Sequence, residues 1–217
     1  MIKVSAFRWV PDFARGLVRD LRVRWALEEV GLPYEVRLIG PEDQKSAAYR
    51  AMQPFGQVPA YEEDGLVLFE SGAILLHIAG KSDVLMPADE PARARVTAWM
   101  FAALNTLEPY IVNLTTIDLF NADEEWAKTR RPAELARVET RLAALSDWLG
   151  GREYLEDGRF TVADLLMTTV LRIPRHCDLV TRYQALDAYR LRCEARPAFK
   201  RALDAQMADF AEKPAAA

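Results

Sequence analysis

Apolar residues alternate with polar ones at the start of the chain, where Ile2, Val4 and Ala6 are interleaved with Lys3 and Ser5. That period of two predicts a first strand. Residues 7–20, FRWVPDFARGLVRD, break the alternation and read as a loop whose later part turns helical. From Leu21 the period lengthens, with Val23, Ala26, Leu27 and Val30 at i, i+3, i+4 and i+7, the stripe of a helix. Gly31 provides its stop, and Pro33 prevents it from resuming. Tyr34, Val36 and Leu38 alternate with charged residues as a second strand, which Gly40-Pro41 breaks before a short helix over 45–52. An extended run then carries an internal proline, Pro59. Asp64-Gly65 marks a hairpin, because glycine tolerates the positive φ that tight turns demand, and residues 66–69 form the return strand. An apolar helix follows, with Ser71 placed to cap its first N–H groups. The order βαβαββα sets the first two strands parallel and the last two antiparallel.

Beyond residues 83–91, which contain Pro87 and Pro91 and form the best boundary, the strand pattern vanishes. Residues 93–120 form one long helical pattern with Pro109 inside it, which predicts a kink. Pro132 suits the first turn of a helix running to Leu149, closed by Gly150-Gly151. Thr161 caps a third helix, with Asp164 three residues on as a capping-box variant. Helices over 183–195 and 197–210 complete the pattern, and EKPAAA reads as a frayed tail. The expected division is an α/β domain at 1–82, a linker at 83–91 and an all-helical domain at 92–217.

Composition narrows the function class. Of 217 residues, 51% are hydrophobic and 28% charged, as in a soluble globular protein. A net charge of −4 without a long basic run gives no footprint for nucleic acid. No apolar run approaches the roughly 20 residues of a membrane span, and MIKVSAF lacks the apolar core of a signal peptide. Cys177 and Cys193 carry no CxxC spacing and read as reduced, packed thiols, although a disulfide between them is open. His77 and His176 form no metal-ligand motif, so the chain reads as cytoplasmic and metal-free.

The richest chemistry lies in QPFGQVPAYEEDGLVLFESGAILLHIA, residues 53–79. A cis bond before Pro59 would turn the preceding backbone outward and leave Val58 free to pair with an extended ligand. A helix start a few residues later offers N–H donors and a positive dipole end to a carboxylate. Glu70 beside it can hold an ammonium group. PFGQVP followed by LFES and its helix resembles the glutathione-binding half of the glutathione S-transferase family. RVRWALEEVGLPYEV, RFTVADLLM and YRLRCEARPAF are similar to other parts of that family, so the resemblance runs over about residues 2–210.

That resemblance implies an N-terminal thioredoxin-like domain, an all-helical C-terminal domain and a homodimer. It implies a detoxifying transferase, with glutathione as cosubstrate and a small hydrophobic electrophile as its other partner. Val58 is then expected to pair with the cysteinyl residue beside a cis Pro59. Glu70 and Ser71 are expected to hold the γ-glutamyl group, and Gln44, Lys45 and Gln57 to face the glycyl carboxylate. The electrophile is expected against Trp9, Phe13, Tyr110 and Asn113, with Trp99 read either as core or as pocket wall. Asp164 is expected to serve folding. The family places a Tyr, Ser or Cys beside the thiol after the first strand, yet residues 7–25 contain none. The same loop supplies Arg15, Arg19 and Arg22. An Arg side chain, backbone N–H groups at the helix start and a residue from the helical domain are the three ways left to hold the thiolate, and Arg15 or Arg19 with helix-start amides is the expected stabiliser. The missing hydroxyl leaves a glutathione-dependent isomerase or lyase, or a non-catalytic binder of glutathione or a hydrophobic ligand, as alternatives.

Overall fold

The computed structural model describes residues 1–156 and 158–210, and the tail EKPAAA lies outside them. The chain divides into two compact units, Met1–Leu85 joined by the segment from Arg196 on, and Met86–Ala195.

The first unit opens with β1 (Ile2–Phe7), a 3-10 turn at Asp12–Ala14, α1 (Asp20–Val30) and β2 (Tyr34–Ile39). It continues with α2 (Pro41–Lys45), α3 (Ala47–Met52), β3 (Ala60–Glu63), β4 (Leu66–Phe69) and α4 (Ser71–Ala79). The sheet order is β2-β1-β3-β4, with β1 and β2 parallel and the other two pairings antiparallel. The helix expected over 45–52 is two short helices, because Ser46 adopts extended backbone and caps the second by accepting the Tyr49 N–H at 3.1 Å. Gly31, at φ 70, ends α1 where a side chain would be strained.

Eight successive residues of α1, Asp20 to Leu27, are buried. A helix buried around its whole circumference needs cover on more than one side. One cover is α4. The other is α10 (Pro197–Asp209), the last helix among the described residues. Trp25 meets Phe199 edge to face at 4.7 Å between ring centroids. Arg196 grips Glu29 with two bonds of 2.6 and 2.7 Å. Arg24 bonds Asp20 at 2.8 Å and Asp209 at 2.5 Å, while Gln206 donates to Asp20 at 2.8 Å. The last helix therefore belongs with the α/β unit, a correction to the expectation that residues 92–217 form one helical body. Sequence periodicity marks its apolar face but not which surface covers that face.

The second unit contains α5 (Glu90–Phe101), α6 (Glu108–Phe120), α7 (Glu125–Leu149), α8 (Val162–Leu171) and α9 (Gln184–Glu194). Pro91 sits in the first turn of α5, not in a linker, since that position needs no N–H. Pro109 occupies the first turn of α6, and the strain of its ring against the preceding turn is met by a π-helical stretch, Ala102–Leu107. Pro132 lies inside α7, which starts seven residues before it. The carbonyl it cannot bond belongs to the exposed Lys128, where the loss is least costly.

Asp164 is the polar centre of this unit. Its carboxylate accepts the Leu155 N–H at 2.9 Å, the Thr161 N–H at 2.8 Å, the Thr161 hydroxyl at 2.9 Å and the Tyr189 hydroxyl at 3.0 Å. Burial pushes its carboxyl above the usual range, and those four bonds pull the other way. Cys177 and Cys193 are free thiols. No helix among the described residues is long and apolar enough to cross a membrane.

Removing the Asp164 carboxylate orphans several buried donors at once. Asp164→Ala is expected to lose at least about 3 kcal/mol of stability, and Thr161→Ala about 0.5–2 kcal/mol. Chemical denaturation of each variant checks both figures, and a fully stable Thr161→Ala protein that had lost activity would reverse the structural assignment.

Candidate functional site

The β3–β4 register sets Ala60 opposite Phe69. The ladder ends there, so the strand entry and the start of α4 emerge at the same end of the hairpin. The Val58–Pro59 bond is cis. Among the described residues, neither backbone polar group of Val58 has a hydrogen-bond partner.

Side chains remote in sequence hold this entry segment. The Ser5 oxygen accepts the Ala60 N–H at 2.7 Å and lies 2.8 Å from the Tyr49 hydroxyl. Tyr49 donates to the Gln57 carbonyl at 2.6 Å, so Ser5 must be the donor to Tyr49. Gln53 accepts the N–H groups of Phe55 and Gln57 at 2.8 and 3.1 Å. Gln44 donates to the Gly56 carbonyl at 2.7 Å. Gly56 has φ +66, and a Cβ there would meet the Arg50 guanidinium at 2.8 Å and the Gln44 carbonyl at 2.9 Å. Only glycine fits.

Glu70 is exposed and adopts φ 69, ψ 111, a costly conformation for a residue with a side chain. It occupies the N-cap position of α4 without a capping side-chain bond. Ser71 therefore does not cap the helix; it is the first residue inside it. The Ser71 oxygen accepts a bond of 3.1 Å from Arg22, a residue of α1 that is only 3% exposed. By sequence Arg22 is one of several arginines between residues 7 and 25, and its spacing gives no sign of this pairing. The buried Gln53 and Ser5 were likewise illegible.

The remaining candidates are placed as follows. Lys45 is exposed, 3.8 Å from Glu42, and the Gln57 side chain is exposed next to Val58. Arg15 lies 3.2 Å from Asp12, with its guanidinium carbon 5.9 Å from the centre of the Phe210 ring. Arg19 is exposed at the N-cap of α1. Trp9 is half-buried and Phe13 exposed, both in the first unit. In the second unit, Tyr110 stacks under Arg141 at 3.3 Å, and Asn113 is one of the groups that hold the buried Glu134 carboxyl below the usual range, after Arg130. Trp99 donates to Glu156 at 3.2 Å and lies 5.2 Å from Trp148, which gives it a packing role.

A four-stranded mixed sheet flanked by helices, followed in the chain by a helical unit, is a thioredoxin-like architecture joined to an all-helical one. The chain matches the glutathione S-transferase N-terminal domain over residues 14–80 and the C-terminal domain of the same family over 99–197. It is 31% identical over 189 residues to glutathione S-transferase alpha-2 of Rattus norvegicus, covering 83% of this chain and 81% of that one. Glutathione S-transferase 1 of Schizosaccharomyces pombe is 31% identical over 154 residues, a match that spans 66% of each chain. A glutathione transferase structure from Burkholderia graminis, with two glutathione molecules bound per subunit, superimposes with a TM-score of 0.82 at 26% identity. That superposition covers 94% of this chain and 87% of the other. The chain belongs to the glutathione S-transferase family.

The hairpin is tied to α4 by Glu63. Its carboxylate accepts the Tyr61 hydroxyl at 2.9 Å and lies 3.0 Å from His77 Nε2 and 2.5 Å from Lys81 Nζ. Bonds from His77 and Lys81 hold the carboxyl at about 2, below its ordinary 4.5. A depressed value in the folded state means that the stabilisation is complete above pH 4.5 and is lost as pH falls through about 2. Glu63→Gln is expected to melt below the parent at neutral pH. The gap should narrow steadily as pH drops from 4.5 towards about 2, read as paired melting temperatures.

Proposed function

We propose that the protein binds glutathione on its first unit and activates the thiol for attack on small hydrophobic electrophiles. The observation that carries this reading is the meeting of the unpartnered Val58 backbone with the Glu70–Ser71 start of α4 at one end of the hairpin. Val58 pairs with the cysteinyl backbone of the ligand. The helix start takes the γ-glutamyl carboxylate, and the Glu70 carboxylate takes the ammonium group. Lys45, at the end of α2, and Gln57, in the loop before β3, are both exposed and take the glycyl carboxylate. Gln44 acts through the loop, since its amide already holds Gly56 in place. Bound glutathione in the Burkholderia graminis structure supports the ligand assignment.

A free thiol with a pKa near 8.5 is only a few per cent ionised at neutral pH, and lowering it by two units is worth roughly 2.7 kcal/mol. Residues 7–25 hold no Tyr, Ser or Cys to do this. The cationic loop before α1 and the N–H groups of its first turn fill that role, with Arg15 or Arg19 as the catalytic group. The electrophile-binding roles of Trp9 and Phe13 in the first unit, and of Tyr110 and Asn113 in the second, remain part of the proposal. A homodimer is supported by an apolar surface on the first unit. Phe55 is 64% exposed, and Leu66, Val67 and Phe69 are exposed on the edge strand β4. Two free thiols fit a reducing, cytoplasmic setting. The absent hydroxyl also favours a second reading, a glutathione-dependent isomerase or lyase.

Calorimetric titration with glutathione, run beside conjugation of a chlorinated nitrobenzene, tests the proposal. Binding with turnover supports the transferase, and binding without it supports an isomerase, a lyase or a carrier. Ser71→Ala should weaken binding by about 1–2 kcal/mol through loss of a charge-assisted hydrogen bond. Unchanged titrations for both Ser71→Ala and Glu70→Gln would remove these residues from the site.

The thiolate assignment has its own readout. Arg15→Ala or Arg19→Ala should raise the thiol pKa of bound glutathione while leaving its affinity at low pH nearly intact, and lysine should rescue in part. The measurement is the ultraviolet absorbance of the thiolate as pH is varied. If both single variants and the double variant titrate like the parent, the cationic stabiliser is excluded.

A further inference from the structure

Arg22 has no part in the chemistry above, yet it is a charged side chain brought to 3% exposure directly behind Ser71. We propose that Arg22 is a positioning residue that makes the Ser71 hydroxyl a dedicated donor to the α-carboxylate of the γ-glutamyl group. The inference rests on the glutathione reading and assigns that site its selectivity for an amino-acid head group.

A guanidinium can only donate, so in the 3.1 Å contact the Ser71 oxygen is the acceptor. A hydroxyl that accepts in this way keeps its own proton to give. Among the described residues no side chain or carbonyl receives it, although Ser71 is only 5% exposed. That proton is the one given to the incoming carboxylate. Ser71 is also the first residue of α4, where N–H groups have no intrahelical acceptor and the positive end of the helix dipole lies. Guanidinium, hydroxyl and incoming carboxylate then form a polarised chain in surroundings of low dielectric, where each bond strengthens the next. Arginine suits the place because it keeps its charge when buried, whereas a buried lysine sheds its proton. The exposed Glu70 alongside disfavours a phosphate dianion and favours a zwitterion, with its ammonium on Glu70 and its carboxylate on Ser71.

The test compares two ligands by calorimetry on the full chain. One is glutathione. The other is γ-aminobutyryl-cysteinylglycine, which lacks only the α-carboxylate. The parent should bind the second roughly tenfold or more weakly, the range of a hydrogen bond to a charged group. In Arg22→Met, glutathione should fall towards the affinity of the truncated ligand, whose own binding stays unchanged. Glutathione KM should rise with kcat held. Arg22→Lys should narrow the difference in part, and it carries the same comparison if Arg22→Met does not fold. Equal losses for both ligands in the variants would make Arg22 a packing residue and overturn the proposal. A parent that bound both ligands equally would overturn it while leaving the glutathione reading intact. A parent that bound neither would overturn that reading as well.

Discussion

Burying three charged residues within one turn and a half of α1 is possible only if each meets a partner, and the first unit is arranged to meet that demand. Asp20, Arg22 and Arg24 are each 3% exposed or less. An unpaired charge in such surroundings costs several kcal/mol, so partners are compulsory. Arg24 finds Asp20 and Asp209, Asp20 also takes the Gln206 amide, and Arg22 reaches Ser71. Burial pushes the Asp20 carboxyl up despite the pull of Arg24. These pairings recruit the end of the chain to its beginning on one side of α1 and fix the start of α4 on the other.

The site inherits its shape from that arrangement. A strand entry with unpartnered backbone is ordinarily a liability, as edges invite non-specific pairing. Here the loop carrying it is held by Ser5, Tyr49, Gln53 and Gln44, all bonded to its backbone and none offering chemistry of its own. Rigidity of this kind lowers the entropy cost of any association that uses a segment, because less freedom is left to lose. The backbone at Glu70, at φ 69, is a further conformational cost at the start of α4.

The two units keep their polar groups in different ways. In the second, a single carboxylate, Asp164, gathers four bonds from a loop, a helix cap and α9. In the first, polar pairs are spread along α1 and the loop before β3. Asp164 therefore behaves as a folding element, although a buried carboxylate with a raised pKa can by itself suggest catalysis.

Local patterns determined much of this protein. Alternation at Ile2 to Ala6, the helical stripe from Val23 to Val30, the Asp64-Gly65 turn and the Thr161–Asp164 box act over a few residues, so their meaning survives without the rest of the chain. The order of PFGQVP and LFES carried the family, because the loop before β3 and the start of α4 lie close together in the sequence. Other features belong to tertiary structure alone. Arg22 and Ser71 are 49 positions apart, Ser5 and Ala60 are 55, and Arg24 and Asp209 are 185. No spacing rule links such residues, since their encounter depends on how α1 is covered. Pro132 shows the same limit from the other side. Its residue type argues for a helix start, but seven preceding residues and an exposed turn absorb the missing bond, so the helix begins earlier. Periodicity announces that a face will be buried; only the folded chain decides what buries it, because many surfaces satisfy an apolar stripe and few satisfy a particular buried charge.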